Sequence, residues 1–282
     1  MLPGLSLPAK SGPAGDTSSP SHPVSSVPIP APWGDADASF FAGHLDRSDY
    51  ARNLGESLRA LIGGRARSLI DIGAGSGVLG LGLIARGGHW TAFEPNAHMR
   101  GRLAAVAAGR ADLTLDIRAD GWQALDAAPM ADPADLVLCA NIPGPIGAAR
   151  ALYARTRGRG RSLAWIVPAQ AGPRSWCLSG FLPDDLHGED TTPGHSLCLD
   201  ELGPDQAPDL VHLVDWRFRA RFADRAVARD HMIDRLARRH GRVSNDLAHR
   251  LDQHLDHALM PADDGGVIAE APKVSAILLW HG

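Results

Sequence analysis

Residues Asp71-Ile72-Gly73-Ala74-Gly75-Ser76-Gly77 constrain this chain more than any other stretch. They follow the short apolar run Ser68-Leu69-Ile70 and precede an apolar, helix-like run from Val78 to Ala85. That order is strand, glycine turn, helix. A glycine turn lets a ligand approach the backbone where any Cβ would collide. The N–H groups of the following helix start then face that ligand. Glu94 ends the next apolar run, His89-Trp90-Thr91-Ala92-Phe93. An acid there can accept both hydroxyls of a ribose. The pattern implies a cofactor that contains a nucleoside.

The same alternation continues along the chain. A helix is expected over 48–62, with Ser48 as N-cap and Tyr50, Leu54, Leu58 and Leu61 on one face. Strand 68–72 leads to helix 78–86, strand 90–93 to helix 97–108, and strand 113–118 to a turn at Asp120-Gly121. Strand 136–140 leads to helix 146–156, and strand 163–167 follows. Apolar strands alternating with helices predict an α/β, Rossmann-like fold: a mostly parallel seven-stranded sheet with helices on both faces. After residue 167 the rhythm breaks. Residues 168–210, rich in Pro, Gly and Asp, read as a long loop. A strand is expected over 211–222 and two amphipathic helices near 223–239 and 243–259. Segments 265–268 and 273–280 read as a terminal antiparallel hairpin, so a helical insertion precedes the last strands. Residues 1–33 are dense in Pro, Ser, Gly and Ala and read as an extended or disordered tail. Residues 34–282 then form one domain, with 168–262 as its substrate-side loop and helical insertion.

Bulk composition narrows the setting. The 282 residues are 44% hydrophobic, enough for a buried core, and the formal net charge is −4. Nothing in that charge points to a nucleic-acid partner. The only lysines are Lys10 and Lys273. Cys139, Cys177 and Cys198 are widely spaced and include no CxxC pair, which argues against a disulfide framework and a thiolate zinc site. A reducing, cytoplasmic location is expected. The N-terminus lacks a basic region followed by an apolar core, and no apolar run reaches membrane-spanning length, so neither a secretory signal nor a membrane partner is expected.

Three features bear on which cofactor. Gly75-Ser76-Gly77-Val78-Leu79-Gly80 formally matches GxGxxG, which alone would permit NAD or FAD. Asp71, however, ends the first strand, where a pyrophosphate nearby would repel a carboxylate and a cofactor ammonium would welcome it. Asp120, after the third strand, can accept a hydrogen bond from the exocyclic amine of adenine. The fourth strand ends in Asn141-Ile142-Pro143-Gly144, a polar turn at the same sheet edge. Ligands of open α/β sheets lie at the carboxyl ends of the strands.

With those residues in view, the region from about Tyr50 to Val167 resembles the class I S-adenosylmethionine-dependent methyltransferases. Their glycine motif with its leading acid matches Asp71 through Gly77, their ribose acid matches Glu94, and their adenine-side acid matches Asp120. The resemblance implies S-adenosyl-L-methionine as cofactor, bound by Asp71, Gly73, Gly75, Gly77, Glu94, Asp120 and Asn141. The segment from Asp135 to Pro145 is similar to the fourth-strand motif of ribosomal-protein lysine methyltransferases. It is more distantly similar to the Asn-Pro-Pro turn of amide and amino N-methyltransferases, with Ile142 for the first proline and Gly144 for the aromatic. The expected activity is methyl transfer by direct displacement to an amino, amide or hydroxyl group of a small molecule. The length after the fifth strand, and the lack of a separate recognition domain, favour a small acceptor. A protein or peptide N-methyltransferase, an NAD-dependent oxidoreductase and a non-catalytic cofactor-binding or partner protein are the rival readings. A homodimer stays open.

Methyl transfer from a sulfonium needs alignment and exclusion of water more than covalent catalysis. Asn141 can hold a substrate N–H or O–H through its side-chain carbonyl, and it could also cap the helix after Pro145. Transfer to a hydroxyl would use a base; His187, Glu189, Asp190 and His195 in the long loop are ranked for that role by location alone. Asn141, His187 and Glu189 are thus the expected catalytic residues. Trp122, Tyr50 and Cys139 read as packing residues. Trp216, Phe218 and Phe222 alternate along one strand face, as core or pocket wall. His231, His240, His249, His254 and His257 share two helices with aspartates, but interleaved arginines and the lack of HExxH favour a charged face or partner surface over a metal site.

Overall fold

The computed structural model describes residues 34–127, 132–142, 145–171, 177–187 and 192–282. The expected tail, residues 1–33, lies outside them. The chain runs α1 (Asp35–Leu45), α2 (Tyr50–Leu61), β1 (Ala66–Ile72), α3 (Val78–Leu83), β2 (Ile84–Phe93), α4 (Ala97–Ala108) and β3 (Thr114–Arg118). A 3-10 turn (Trp122–Ala127) leads to β4 (Ala134–Ala140), α5 (Pro145–Thr156), β5 (Gly160–Pro168), α6 (Asp184–His187) and α7 (Gly194–Leu202). A second 3-10 turn (Pro204–Gln206) leads to β6 (Leu210–Phe222), α8 (Arg225–His240), α9 (Asn245–Ala258), β7 (Met260–Pro261) and β8 (Val267–His281).

Local chemistry starts several helices. The side chains of Asn96, Asp224 and Ser244 accept the backbone N–H groups of Met99, Val227 and Leu247 at 3.0, 2.8 and 3.1 Å, the N-cap arrangement for α4, α8 and α9.

The strands form one sheet in the order β3-β2-β1-β4-β5-β8-β6, with the short β7 paired to β8. Strands β1 to β5 pair in parallel, and β8 runs antiparallel to both β5 and β6. Alternate side chains go to opposite faces. Leu69, Trp90, Leu136, Leu138 and Ile166 meet α2, α3, α8 and α9 on one side. Ile70, Ile72, Val137, Cys139 and Trp165 meet α5 and α7 on the other. The expected Rossmann-like, mostly parallel α/β sheet covered on both faces is what the chain forms. Its strand order reverses between β1 and β4, and the crevice above that point is where open α/β sheets take ligands.

Four expectations need correction. Helix α3 stops at Leu83, three residues short of the expected end, because Ile84 is already extended and pairs with Ala66 of β1. Residues 168–210 are not one loop. They contain α6 and α7, each too short to show a helical period; α7 buries Cys198 and Leu202, four residues apart, against the α5 side of the sheet. The two terminal segments are not the arms of a hairpin: Val267 and Ile268 run on with 273–280 as one strand, β8, while Gly265 and Gly266 belong to the turn before it, where Ala262 donates its N–H to the Gly266 carbonyl at 2.8 Å and β7 pairs back onto Val267 and Ile268. Pro272 is tolerated inside β8 because β5 pairs only with Ser275 to His281, so at Pro272 only β6 lies alongside. Finally, α1 had no counterpart in the expected elements. Its buried residues Ala38, Ala42 and Leu45 have helical spacing, but two of the three are alanines and give little apolar contrast.

Candidate active site

The turn after β1 places Gly73, Gly75 and Gly77 at φ +67°, +57° and +81°, a region that side chains other than glycine rarely adopt. The three glycines have different neighbours. A Cβ on Gly73 would lie 2.2 Å from Ile142 Cγ2, and one on Gly77 would lie 2.4 Å from Leu103 Cδ1. Those two positions are closed by the protein itself. A Cβ on Gly75 would meet nothing within 4 Å, so the middle of the turn faces open space.

Glu94 is tied to that turn. Its carboxylate accepts the Gly75 N–H and the Asn96 N–H, each at 2.8 Å, and the Arg100 guanidinium donates to its backbone carbonyl at 2.9 Å. The residue is 7% exposed. Burial pushes its carboxyl above the usual range, and the two backbone donors and Arg100 pull it back. A carboxylate offers about four lone-pair directions, so two stay available for a diol.

Asp71 is 2% exposed and turned inward. Its Oδ2 would lie 2.5 Å from a Cβ on Gly80, so glycine is needed there for α3 to approach β1 and β2. Burial and the Glu94 charge push the Asp71 carboxyl up to about 7. The Trp90 indole N–H is directed at it and partly offsets that rise, although it stands outside ordinary hydrogen-bond geometry and has no other partner. The carboxyl therefore lies behind the glycine turn, short of positive charge.

On the other side of the crevice, Asn141 follows β4 with φ +52°, the single positive value at a non-glycine among the described residues. Its N–H donates to the Ile166 carbonyl at 2.8 Å, which fixes the strand end. Its side-chain amide donates to the Tyr50 hydroxyl at 2.9 Å. Burial and the nearby Asp71 carboxyl raise the Tyr50 hydroxyl pKa, and the Asn141 bond opposes them. The Tyr50 ring stands edge-on to Trp216, with centroids 4.8 Å apart. Sequence reading assigned Tyr50 to packing alone, yet its hydroxyl is a polar part of the site. The only advance signal was a tyrosine, where phenylalanine would pack, at the start of an apolar helix face.

The other expected residues separate. Asp120 is exposed at the carboxyl end of β3, on the edge that carries Glu94 and Asn141. Pro143, Gly144, Glu189 and Asp190 lie outside the described residues. His187 is the last residue of α6, a helix joined to α9 by an Arg250–Asp185 ion pair. His195 belongs to α7, on the α5 side of the sheet; burial lowers its pKa, and its Nδ1 is buried without a hydrogen-bond partner. The two loop histidines are thus on helices packed against opposite faces. In the histidine-rich helices, Arg225 and Arg229 hold Asp252, and Arg225 also holds Asp256, a charged seam. Trp122 packs partly buried against the core.

A cleft of about 590 Å³ opens beyond the carboxyl end of β5, between the start of α2, β6 and β8. Asp49, Asn53, Asp215, Trp216, Arg217 and Lys273 line it. Through Trp216 and Tyr50 it connects to Asn141. Sequence reading singled out none of its polar residues. Lys273, one of two lysines in the chain and set in an apolar strand, was the available signal.

No protein-family model and no curated protein matches the chain. Solved structures do. PH1948 of Pyrococcus horikoshii, a candidate RNA methyltransferase, is 13% identical over 83% of this chain and 84% of that one, with a TM-score of 0.44. Coclaurine N-methyltransferase, solved with N-methylheliamine and S-adenosylhomocysteine, is 12% identical over 82% and 70%, with a TM-score of 0.41. The candidate methyltransferase BH2331 of Bacillus halodurans C-125 is 13% identical over 76% and 93%, with a TM-score of 0.37.

Proposed function

We propose that the chain is an S-adenosylmethionine-dependent methyltransferase acting on a nitrogen or oxygen of a small molecule. The observation that carries this reading is the pairing across the sheet's switch point: an open glycine turn latched to Glu94 on one side, and Asn141 with Tyr50 on the other. The residues present suit that cofactor. Glu94 has lone pairs left for a ribose diol, Gly75 offers a backbone face without a side chain, and Asp71 supplies a buried carboxyl that a nearby ammonium would stabilise in its charged form. The same carboxyl would oppose a dinucleotide pyrophosphate. When bound, the cofactor supplies an electrophilic methyl group on a sulfonium.

The protein's part is then positional. Asn141 is held by its own strand end and by Tyr50, which leaves its side-chain oxygen to accept an N–H or O–H of the acceptor. That interaction orients the acceptor's lone pair. Asp120, exposed on the same edge, would accept a hydrogen bond from the adenine amine. The test is incubation of the full chain with methyl-labelled S-adenosylmethionine and a cell extract, separated by size. Label in the small-molecule fraction supports the reading. Label confined to a protein band would replace it with protein N-methylation, and no label in either would remove the enzyme assignment.

A further inference from the structure

Tyr50 is 3% exposed, and its side chain makes one hydrogen bond among the described residues: the hydroxyl oxygen accepts the Asn141 amide at 2.9 Å. That bond occupies a lone pair and leaves the phenol O–H without an acceptor. A buried donor is ordinarily paired, because leaving it unmet forfeits the bond it had to water. Burial and the Asp71 charge hold the proton on this hydroxyl well above the ordinary tyrosine range, so at cellular pH it is a donor and not a base. The ring is fixed by its surroundings. It stands edge-on to Trp216, whose own indole N–H donates to the Ser275 hydroxyl at 3.0 Å. Asn141 is exposed at the mouth of the crevice, and its side-chain oxygen also has no partner among the described residues. Its orientation is set, because the amide nitrogen faces Tyr50. The two residues thus offer, side by side, one O–H donor and one carbonyl acceptor.

Resting on the methyl-transfer reading above, we propose that the methyl acceptor is a hydroxyl oxygen, which receives the Tyr50 O–H and gives its own hydrogen to the Asn141 side-chain oxygen. The count of lone pairs decides this. A hydroxyl has one hydrogen and two lone pairs. Its hydrogen meets Asn141, one lone pair meets Tyr50, and the second is left for the methyl carbon. A neutral amine has a single lone pair. Directed at the methyl, it leaves the Tyr50 donor unmet, and an ammonium has no lone pair at all. A site built to hydrogen-bond one group discriminates against an analogue that cannot complete the bonds. In the step itself the O–C bond forms as the C–S bond breaks. The C–S electron pair goes to sulfur, and the hydroxyl proton passes to water at the exposed Asn141. Tyr50 keeps its own proton and stabilises negative charge on the oxygen as the hydroxyl proton departs. Tyr50 is then a catalytic residue, and Trp216 positions it.

The test gives the full chain S-adenosylmethionine with a trideuteriomethyl group, together with the small-molecule fraction of a cell extract, and locates the label in the product. Hydriodic acid cleaves methyl ethers and esters, so it is expected to release the label as trideuteriomethyl iodide. Label held on the nitrogen of an amine or amide overturns the proposal. Tyr50→Phe is expected to lower kcat/KM for the same acceptor at least about tenfold, while S-adenosylhomocysteine affinity stays within about twofold. Unchanged turnover in Tyr50→Phe overturns the proposal. So does an equal loss of S-adenosylhomocysteine affinity, which would assign the O–H to the cofactor. If Tyr50→Phe does not fold, 3-fluorotyrosine labelling of the intact chain reads the same point. Tyr50 and Tyr153 are the only tyrosines, and Tyr153→Phe assigns their 19F signals. The acceptor, added to the S-adenosylhomocysteine complex, must shift the Tyr50 signal saturably, and no shift overturns the proposal. Label on nitrogen refutes only this inference, whereas no label in any small molecule refutes the methyl-transfer reading itself.

Discussion

The side-chain amide of Asn141 donates to the hydroxyl of Tyr50 at 2.9 Å, joining residues 91 positions apart across the mouth of the sheet. Asn141 bears this contact while its backbone is in a left-handed conformation, which asparagine tolerates better than other residues with a Cβ and glycine tolerates best. The bond and the conformation make separable predictions. Asn141→Gly relieves the backbone and Asn141→Ala does not, so urea denaturation should find the alanine variant less stable than the glycine variant by about 1 kcal/mol. Tyr50→Phe should cost about 1 kcal/mol of stability and, with an identified substrate, reduce kcat more than it alters cofactor affinity. Equal stability of the two Asn141 variants would mean that the conformation is not held as described.

The three turn glycines should behave differently when replaced. Gly73→Ala and Gly77→Ala drive a methyl into Ile142 and Leu103 and should each cost about 2 kcal/mol or more in denaturant titrations. Gly75→Ala meets open space and should cost only about 1 kcal/mol of conformational strain. On the proposed reading the cofactor approaches through that space, so Gly75→Ala should still weaken S-adenosylhomocysteine binding at least about tenfold. A Gly75→Ala protein with wild-type affinity would place the cofactor elsewhere.

Asp71 links stability to pH. Its folded pKa, about 7, is raised above the ordinary 3.8, so the folded state holds the extra proton between those values. The favourable contribution is fully present below about pH 4 and is lost as pH rises through about 7. Asp71→Asn should therefore be more stable than the wild type by about 4 kcal/mol at about pH 8, with the difference shrinking toward about pH 4. The same substitution should abolish the preference for a cationic cofactor. Thermal unfolding across pH, with a flat difference between the two proteins, would show that Asp71 is not the group responsible.

Much of this fold was legible in the chain because the parallel strands are buried on both faces and so read as apolar runs. Leu136 to Cys139 and Leu163 to Val167 could hardly lie elsewhere. The glycine turn was legible because its backbone demands show in residue type. What escaped depended on tertiary partners. Helix α1 buries mainly alanines, α7 is only nine residues long, and the continuity of β8 through Pro272 depends on β5 ending its pairing at Ser275. The inward turn of Asp71, toward Gly80 and Trp90, is set by packing of α3 and has no local signature. Neither does the approach of Tyr50 to Asn141, nor that of Lys273 to Ser179, 94 positions away.

Acid should loosen the contact between α1 and α8. His231 stacks on Phe40 with ring centroids 4.3 Å apart, and burial, with Arg235 nearby, lowers its pKa to about 4. A histidine lowered in the folded state contributes stability that is present above the ordinary 6.5 and is lost as pH falls through about 4. His231→Phe keeps the stack and cannot take up a proton. It should remove about 2 kcal/mol of the acid destabilisation between about pH 6.5 and 4, seen as a smaller drop in Tm.

The most direct measurement is calorimetric titration of the purified chain with S-adenosylhomocysteine and, separately, with NAD, beside an Asp71→Ala, Glu94→Ala double variant. The switch-point reading predicts saturable S-adenosylhomocysteine binding that the double variant loses and no binding of NAD. Binding of NAD instead, or S-adenosylhomocysteine binding that survives loss of both carboxylates, would contradict it.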